Sequence, residues 1–237
     1  MQKYTIVSIA LYCLASGQVS ASVINGDFES GLTGWTTIGS TNDTTESSVS
    51  FYGDTVTALD GDMARIDSGS DDLSFTLRSA IESELGVASG GFNALAPTHQ
   101  NPNRTVNWVT GAAIYQDITL ADEGTISFNW NFLTEDIIAD SWPIDAVFMV
   151  LDGNVTMLTN TVDNGGQGSY GWTSVNLDVA AGTHRLAFVS LNDFDPYGGT
   201  ELLIDNVSTS VVPVPAAVWL FGSALAGLGW LRRKQAV

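Results

Sequence analysis

The side chains able to do chemistry in this 237-residue chain are mostly carboxylates, carboxamides, hydroxyls and aromatic rings. There are two histidines and one cysteine. His99 sits in the loop-like run Pro97-Thr98-His99-Gln100-Asn101-Pro102, and His184 sits in a strand pattern, so nothing in the sequence pairs them. The chain has no His-Glu-x-x-His zinc motif, no Gly-x-Ser-x-Gly nucleophile elbow and no phosphate-binding glycine loop. Asp163-Asn164-Gly165-Gly166-Gln167-Gly168 has the glycines but not the lysine or the helix that such a loop needs, and reads as a turn. A glycosidase pair stays open, because that chemistry depends on the separation of two carboxylates across a substrate. Carboxylates and backbone carbonyls are also the oxygen ligands that hard divalent cations take, although no EF-hand loop is present. Tyr52, Trp108, Trp142, Tyr170, Trp172 and Tyr197 fall near predicted loops or strand ends. Exposed rings there would stack on pyranose faces, and the same residues would equally suit a sandwich core.

The charge distribution narrows the partners. All 26 acidic residues lie between Asp27 and Asp205, where the only cations are Arg65, Arg78, Arg104 and Arg185, a net charge of −22 with no lysine. Phosphate binding needs basic surface, so nucleic acid is excluded as a partner. The composition is 44% apolar and 10% aromatic, enough for a packed core rather than a disordered chain. An acidic, lysine-free body suits a secreted protein that faces salt or divalent cations.

Both ends read as addresses. Lys3 precedes the apolar run from Ile6 to Leu14, and Val19-Ser20-Ala21 supplies the small residues of a signal-peptidase site. Residues 1–21 are therefore expected to be a signal peptide, and Cys13 to leave with it. At the other end Pro213-Val214-Pro215 precedes Ala216 to Leu231, where Ser223 is the only polar side chain, and Arg232-Arg233-Lys234 follow. Sixteen helical residues span about 24 Å, a little under the roughly 30 Å of a hydrocarbon core. The basic cluster would stay cytoplasmic and leave the body outside. This order closely resembles the PEP-CTERM sorting signal of Gram-negative bacteria, in its Val-Pro-x-Pro-Ala form. Val214 stands where the family has its name-giving glutamate. The resemblance implies that Pro213, Val214, Pro215, Ala216, Arg232, Arg233 and Lys234 form a sorting motif over residues 211–237. It also implies processing by an exosortase, a membrane-embedded cysteine transpeptidase, and delivery to the cell surface or extracellular matrix.

Between the addresses, residues 22–210 have the size of one β-sandwich. Ile126, Phe128, Trp130 and Phe132 alternate strictly, so a strand with one buried face is expected over Thr125 to Phe132. Ala146 to Leu151, Asp152-Gly153 and Val155 to Leu158 read as a hairpin with a tight turn. Further strands are expected at Trp172 to Val179, His184 to Leu191 and Leu202 to Thr209. Leu73, Leu77, Ile81 and Leu85 recur every four residues, with Asp71-Asp72 before and Gly86 after, which predicts one short helix. The expected fold is thus all-β, a jelly-roll-like sandwich with one inserted helix, plus a C-terminal transmembrane helix.

Asn25-Gly26-Asp27-Phe28-Glu29 with Gly34-Trp35 resembles the opening of galactose-binding-like jelly rolls, and Leu202-Leu203-Ile204-Asp205-Asn206-Val207 resembles their closing strand. Trp130-Asn131-Phe132-Leu133-Thr134-Glu135 resembles secreted domains found with this sorting tail. The first resemblance implies a structural calcium held by Glu29 and Asp205, with Asp60-Gly61-Asp62 in a neighbouring loop. The whole reads as a non-catalytic exported surface or matrix protein. The alternatives are a carbohydrate-binding module that attaches to exopolysaccharide and a cryptic glycan hydrolase. Replacing Arg232, Arg233 and Lys234 with Ser is expected to impair sorting through the tail. Fractionation of the producing cells checks this, and equal surface yield would overturn it.

Overall fold

The computed structural model describes residues 23–39, 44–51, 53–68, 76–99, 102–103, 105–137, 144–193 and 199–211. Among the described residues no helix is long and apolar enough to cross a membrane, and the tail from residue 212 lies outside them. So do Leu73, Asp71 and Asp72, and the aromatic residues Tyr52, Trp142 and Tyr197.

Short strands come first: β1 (Thr36–Ile38), β2 (Thr44–Glu46), β3 (Ser48–Phe51), β4 (Asp54–Thr57), β5 (Met63–Asp67) and β6 (Thr76–Leu77). Helix α1 (Arg78–Leu85) and a single 3₁₀ turn (Asn93–Leu95) follow. The long strands are β7 (Thr110–Leu120) and β8 (Gly124–Thr134), then the hairpin of β9 (Ala146–Leu151) and β10 (Asn154–Asn160). The chain closes with β11 (Gly168–Ser169), β12 (Thr173–Val179), β13 (Gly182–Asn192) and β14 (Thr200–Val211).

Twelve of these strands form a sandwich of two antiparallel sheets, and β3 and β4 pair as a separate two-stranded sheet. The first runs β1-β7-β13-β9-β10, with β6 also on β7, and the second runs β11-β8-β14-β5-β2, with β12 also on β8. Consecutive strands β7 and β8 lie in different sheets, as do β13 and β14. Each partner pairs with its counterpart, β7 with β13 and β8 with β14, so one long double ribbon wraps the core. The alternation predicted in β8 holds: Ile126, Phe128, Trp130 and Phe132 all face the space between the sheets, where they meet Ile114, Phe188 and Ile204. Phe128 packs edge-on against Phe188 at 4.8 Å. The predicted β9–β10 hairpin is also observed. Asp152 and Gly153 take φ values of 51° and 76°, the two left-handed residues that a type I′ turn requires.

The outer face of the first sheet is apolar too, and α1 with Val87, Phe92, Val106 and Trp108 covers it, packing Ile81, Leu85, Phe92 and Trp108 into one cluster with Phe148. The helix is shorter than its leucine spacing predicts. Leu77 is 57% exposed and stands at the helix N-cap rather than on the buried stripe. The reason is backbone pairing: Thr76 and Leu77 are still bonded to β7, and Arg78 donates its N–H to Val109 O at 2.7 Å before the helix turns. Gly86 ends the helix in the left-handed conformation, as expected from its place after the last periodic leucine.

His184 and Arg185 lock the hairpin turn onto β13. Asp152 accepts a hydrogen bond from Arg185 N at 2.9 Å and pairs with His184 Nδ1 at 2.7 Å. That bond raises the His184 pKa above its ordinary 6.5, against the opposing effect of partial burial. A raised folded value makes the pair's contribution complete below about pH 6.5, and it is lost as pH rises through the raised value. Urea midpoints should therefore fall between about pH 6 and about pH 8.5, and Asp152→Asn should flatten that slope.

Candidate functional site

The residues singled out at the two ends of the body do meet. Asn25 is the knot of the N-terminal loop: its Oδ1 accepts Ser30 N at 3.0 Å, its Nδ2 donates to Gly31 O and Thr33 O, and its carbonyl accepts Trp35 Nε1. The loop turns so tightly that Asn25 and Phe28 both take positive φ, 51° and 57°. For an aromatic residue that conformation costs about 1–2 kcal/mol. The Phe28 side chain is completely buried against Trp35, which returns roughly 1.5–3 kcal/mol. Burial therefore outweighs strain. With Phe28 driven inward, its neighbours Asp27 and Glu29 are left at the surface.

Glu29 and Asp205 both reach the loop between β4 and β5. Asp205 is fully buried. Its Oδ2 accepts Leu59 N at 2.7 Å and Asp60 N at 3.4 Å, while Oδ1 accepts Asn206 N. Burial pushes the Asp205 pKa up, and these N–H donors pull it part of the way back. Glu29 Oε1 accepts Asp62 N at 2.7 Å and packs so closely on Gly61 that a Cβ there would overlap the carboxylate. Backbone N–H groups, not carbonyls, thus face both carboxylates. Among the described residues no group of three or more His, Cys, Asp or Glu side chains could hold a metal.

The ordinary product of a sheet's outer face is a mixture of long charged side chains, and the second sheet departs from it. Outward positions of β12, β8 and β14 align in three rows: Asp178, Thr125 and Ser210; Asn176, Ser127 and Ser208; Ser174, Asn129 and Asp205. Every one is a short polar residue. Rows lie about 6.8 Å apart along the strands and columns about 4.8 Å apart across them. Side-chain bonds fix the rotamers: Thr125 to Asp178 at 3.1 Å, Ser127 to Asn176 at 2.7 Å and Asn129 to Ser174 at 2.6 Å. Ser174, Asn176, Asp178, Ser208 and Ser210 are exposed. Loop 59–60 bonds to the Asp205 corner. The strand period of two that marks Ile126, Phe128 and Trp130 as inward also marks Ser127 and Asn129 as outward. That signal is legible in the sequence, in the polar half of the same alternation.

The aromatic candidates separate. Trp108 is a core residue, fully buried with its Nε1 donating to Ile144 O at 2.7 Å. Trp172 continues the outward side of β12 and donates to Thr57 O at 3.0 Å. Tyr170, 45% exposed, stacks on buried Trp130 at 5.2 Å and shows its other side to solvent at the sheet edge. Of the histidines, His99 is buried beside a cavity of about 770 Å³ lined by Asn93, Thr98, Thr105 and Asn107, far in sequence from His184. The body's described cations are each paired with carboxylates: Arg65 with Glu46 and Glu201, Arg78 with Glu82, and Arg185, at the surface, with Asp117.

No protein-family model matches the chain, and no curated protein sequence matches it either. Among solved structures the chain is similar to TmCBM61 in complex with β-1,4-galactotriose, at 10% identity and a TM-score of 0.40, over 81% of this chain and 100% of that one. It is also similar to the K3 cleaved adhesin domain of Lys-gingipain from Porphyromonas gingivalis w83, at 16% identity and a TM-score of 0.42, over 81% and 100%. CBM35 from Paenibacillus barcinonensis overlaps at 12% identity and a TM-score of 0.26, over 75% and 99%. Overlaps this loose support no inference about activity or ligand.

The N-terminal loop and β14 touch at one point where a side chain cannot fit. Val207 N donates to Gly26 O at 2.8 Å, and a Cβ on Gly26 would come within 1.9 Å of Val207 O. Gly26→Ala should therefore destabilise the body by roughly 2–3 kcal/mol, in the upper part of the usual range for one substitution. A urea titration reads this directly, and a midpoint equal to wild type would show that the loop is not seated on β14.

Proposed function

We propose that this protein is a non-catalytic, exported surface or matrix protein whose jelly-roll body binds neutral glycan on the outer face of the second sheet. The observation that carries the reading is the lattice of Thr125, Ser127, Asn129, Ser174, Asn176, Ser208 and Ser210, with Trp172 at its head. Hydroxyl and carboxamide groups both donate and accept, as sugar hydroxyls do. Short side chains already held by their neighbours lose little freedom when a ligand arrives, so less of each new bond is spent on ordering. The wrapped ribbon of β7–β8 against β13–β14 supports the jelly-roll reading of the sandwich. Export by the N-terminal segment and sorting of Pro213 to Lys234 by an exosortase-type enzyme complete the proposal. They rest on the sequence patterns alone.

Calcium belongs to the same proposal as a stabilising ion at Glu29 and Asp205, which would have to share those carboxylates with the loop N–H groups. Calorimetric titration with neutral oligosaccharides, in calcium and in chelator at equal ionic strength, tests both parts. The double change Ser127→Ala and Asn176→Ala should weaken binding about tenfold, on the scale of one or two net hydrogen bonds. Unchanged affinity would remove the lattice from the site, and release of new reducing ends would show a hydrolase instead. Identical melting of wild type in calcium and in chelator would leave the N–H bracket as the sole role of the two carboxylates.

A further inference from the structure

Between the Asp205 and Ser208 rows of the lattice β14 bulges. Asp205 opposes Asn129 and Ser208 opposes Ser127, so β14 uses three steps where β8 uses two. The extra residue frees Asn206, which takes a positive φ of 54°, and turns Val207 N away from β8 toward Gly26. A bulge bends its strand and re-aims side chains, a device found next to binding sites. A cavity of about 330 Å³ opens here, lined by Asn25, Asp27, Asn206 and Ser208 among others. Asn25, Phe28 and Asn206 account for three of the four described non-glycine residues with positive φ, and the fourth is the hairpin residue Asp152. Left-handed backbone of this kind, concentrated at one place, persists only where the surroundings fix it, and it gathers at ligand clamps.

We propose that this cavity is an end-subsite that holds two neighbouring hydroxyls of a glycan's terminal sugar ring. The inference rests on the glycan-binding reading above and adds direction and specificity to it. Ser208 belongs both to the lattice and to the cavity, so a chain lying across Ser127 and Ser208 runs into it without a gap. Gly26 and Val207, bonded to each other, are part of its lining, and the N-terminal loop seated there is the stop we assign to a chain that crosses β14. Asp27 supplies an acceptor for two O–H groups. The Asn206 carboxamide supplies two N–H donors and an oxygen acceptor, and the Ser208 hydroxyl supplies both a donor and an acceptor. Neighbouring hydroxyls of one ring match that set. An anionic sugar does not, because Asp27 would repel it and no cation stands among the described lining residues.

Asn206→Gly gives a test that does not threaten the fold, since glycine adopts positive φ more readily than asparagine. Calorimetric titrations of the purified chain with galactotriose, mannotriose and cellotriose compare wild type, Asn206→Gly, Asp27→Ala and the lattice variant. We expect Asn206→Gly and Asp27→Ala each to weaken the preferred trisaccharide roughly tenfold and to level the differences among the three sugars. The melting temperature of Asn206→Gly should equal or exceed that of wild type. Asn206→Asp, which tolerates the same backbone, checks that the carboxamide rather than the bulge is responsible. Equal affinity and unchanged sugar preference in both Asn206 variants, with binding still lost in the lattice variant, would overturn the subsite alone. Absence of binding in wild type would overturn the lattice reading and the subsite with it.

Discussion

A buried carboxylate holds one end of this molecule together. Asp205 lies at the centre of the second sheet with no solvent contact, and it is ionisable in a place where ionisation is expensive. Three backbone N–H groups, from Leu59, Asp60 and Asn206, offset part of that cost, and the raised pKa shows that desolvation still wins. What Asp205 supplies is position. It pins the β4–β5 loop to β14, and Glu29 pins the far end of the same loop through Asp62 N. With the loop fixed at both ends, the bulge at Asn206 has nowhere to relax, and the N-terminal segment finds a rigid strand to seat on.

That segment is held from the opposite sheet as well. Gln116 is buried in β7, where an apolar residue would be the ordinary choice. Its side chain accepts Ile24 N at 2.8 Å and donates to Ile24 O and Gly34 O, both at 2.9 Å. All three bonds go to backbone groups of the N-terminal segment and tie it to β7. Strand β7 and strand β14 thus clamp residues 24 to 34 between them, one by a carboxamide and one by the backbone of Val207. The closed contact of Gly26 and the strained turn at Phe28 follow from that clamp.

A second group of buried polar residues orders the loops at one end of the sandwich. Asp193 accepts Asn107 N and Ile144 N, Asp145 accepts Asp193 N, and Asp136 accepts the Thr161 hydroxyl. These acids sit in a chain whose body carries −22, yet they face inward to N–H and O–H donors. Part of the acidity is accordingly structural. Much of the remainder covers the surface, where it keeps the protein apart from anionic partners.

Periodicity in the sequence determined the elements whose patterning is local: the inward half of β8, the Asp152-Gly153 hairpin, the strands at β12 to β14 and the glycine stop of α1. Its charge distribution argues against nucleic acid as a partner. Strand β7 escaped that reading because Gly111, Ala112, Ala113 and Gln116 break the alternation, and only contact with β13 and the N-terminal segment makes those residues suitable for a strand. The start of α1 escaped it because hydrogen bonds to β7 hold Leu77 extended against its helical spacing. The candidate site divides the same way. Alternation along β8 and β12 is local, so its outward polar residues were readable one strand at a time. Their assembly into one lattice, and the cavity where Asp27 meets Asn206, depend on register across a sheet and on a one-residue bulge. Those are set by packing between segments some 180 residues apart, which no local spacing encodes.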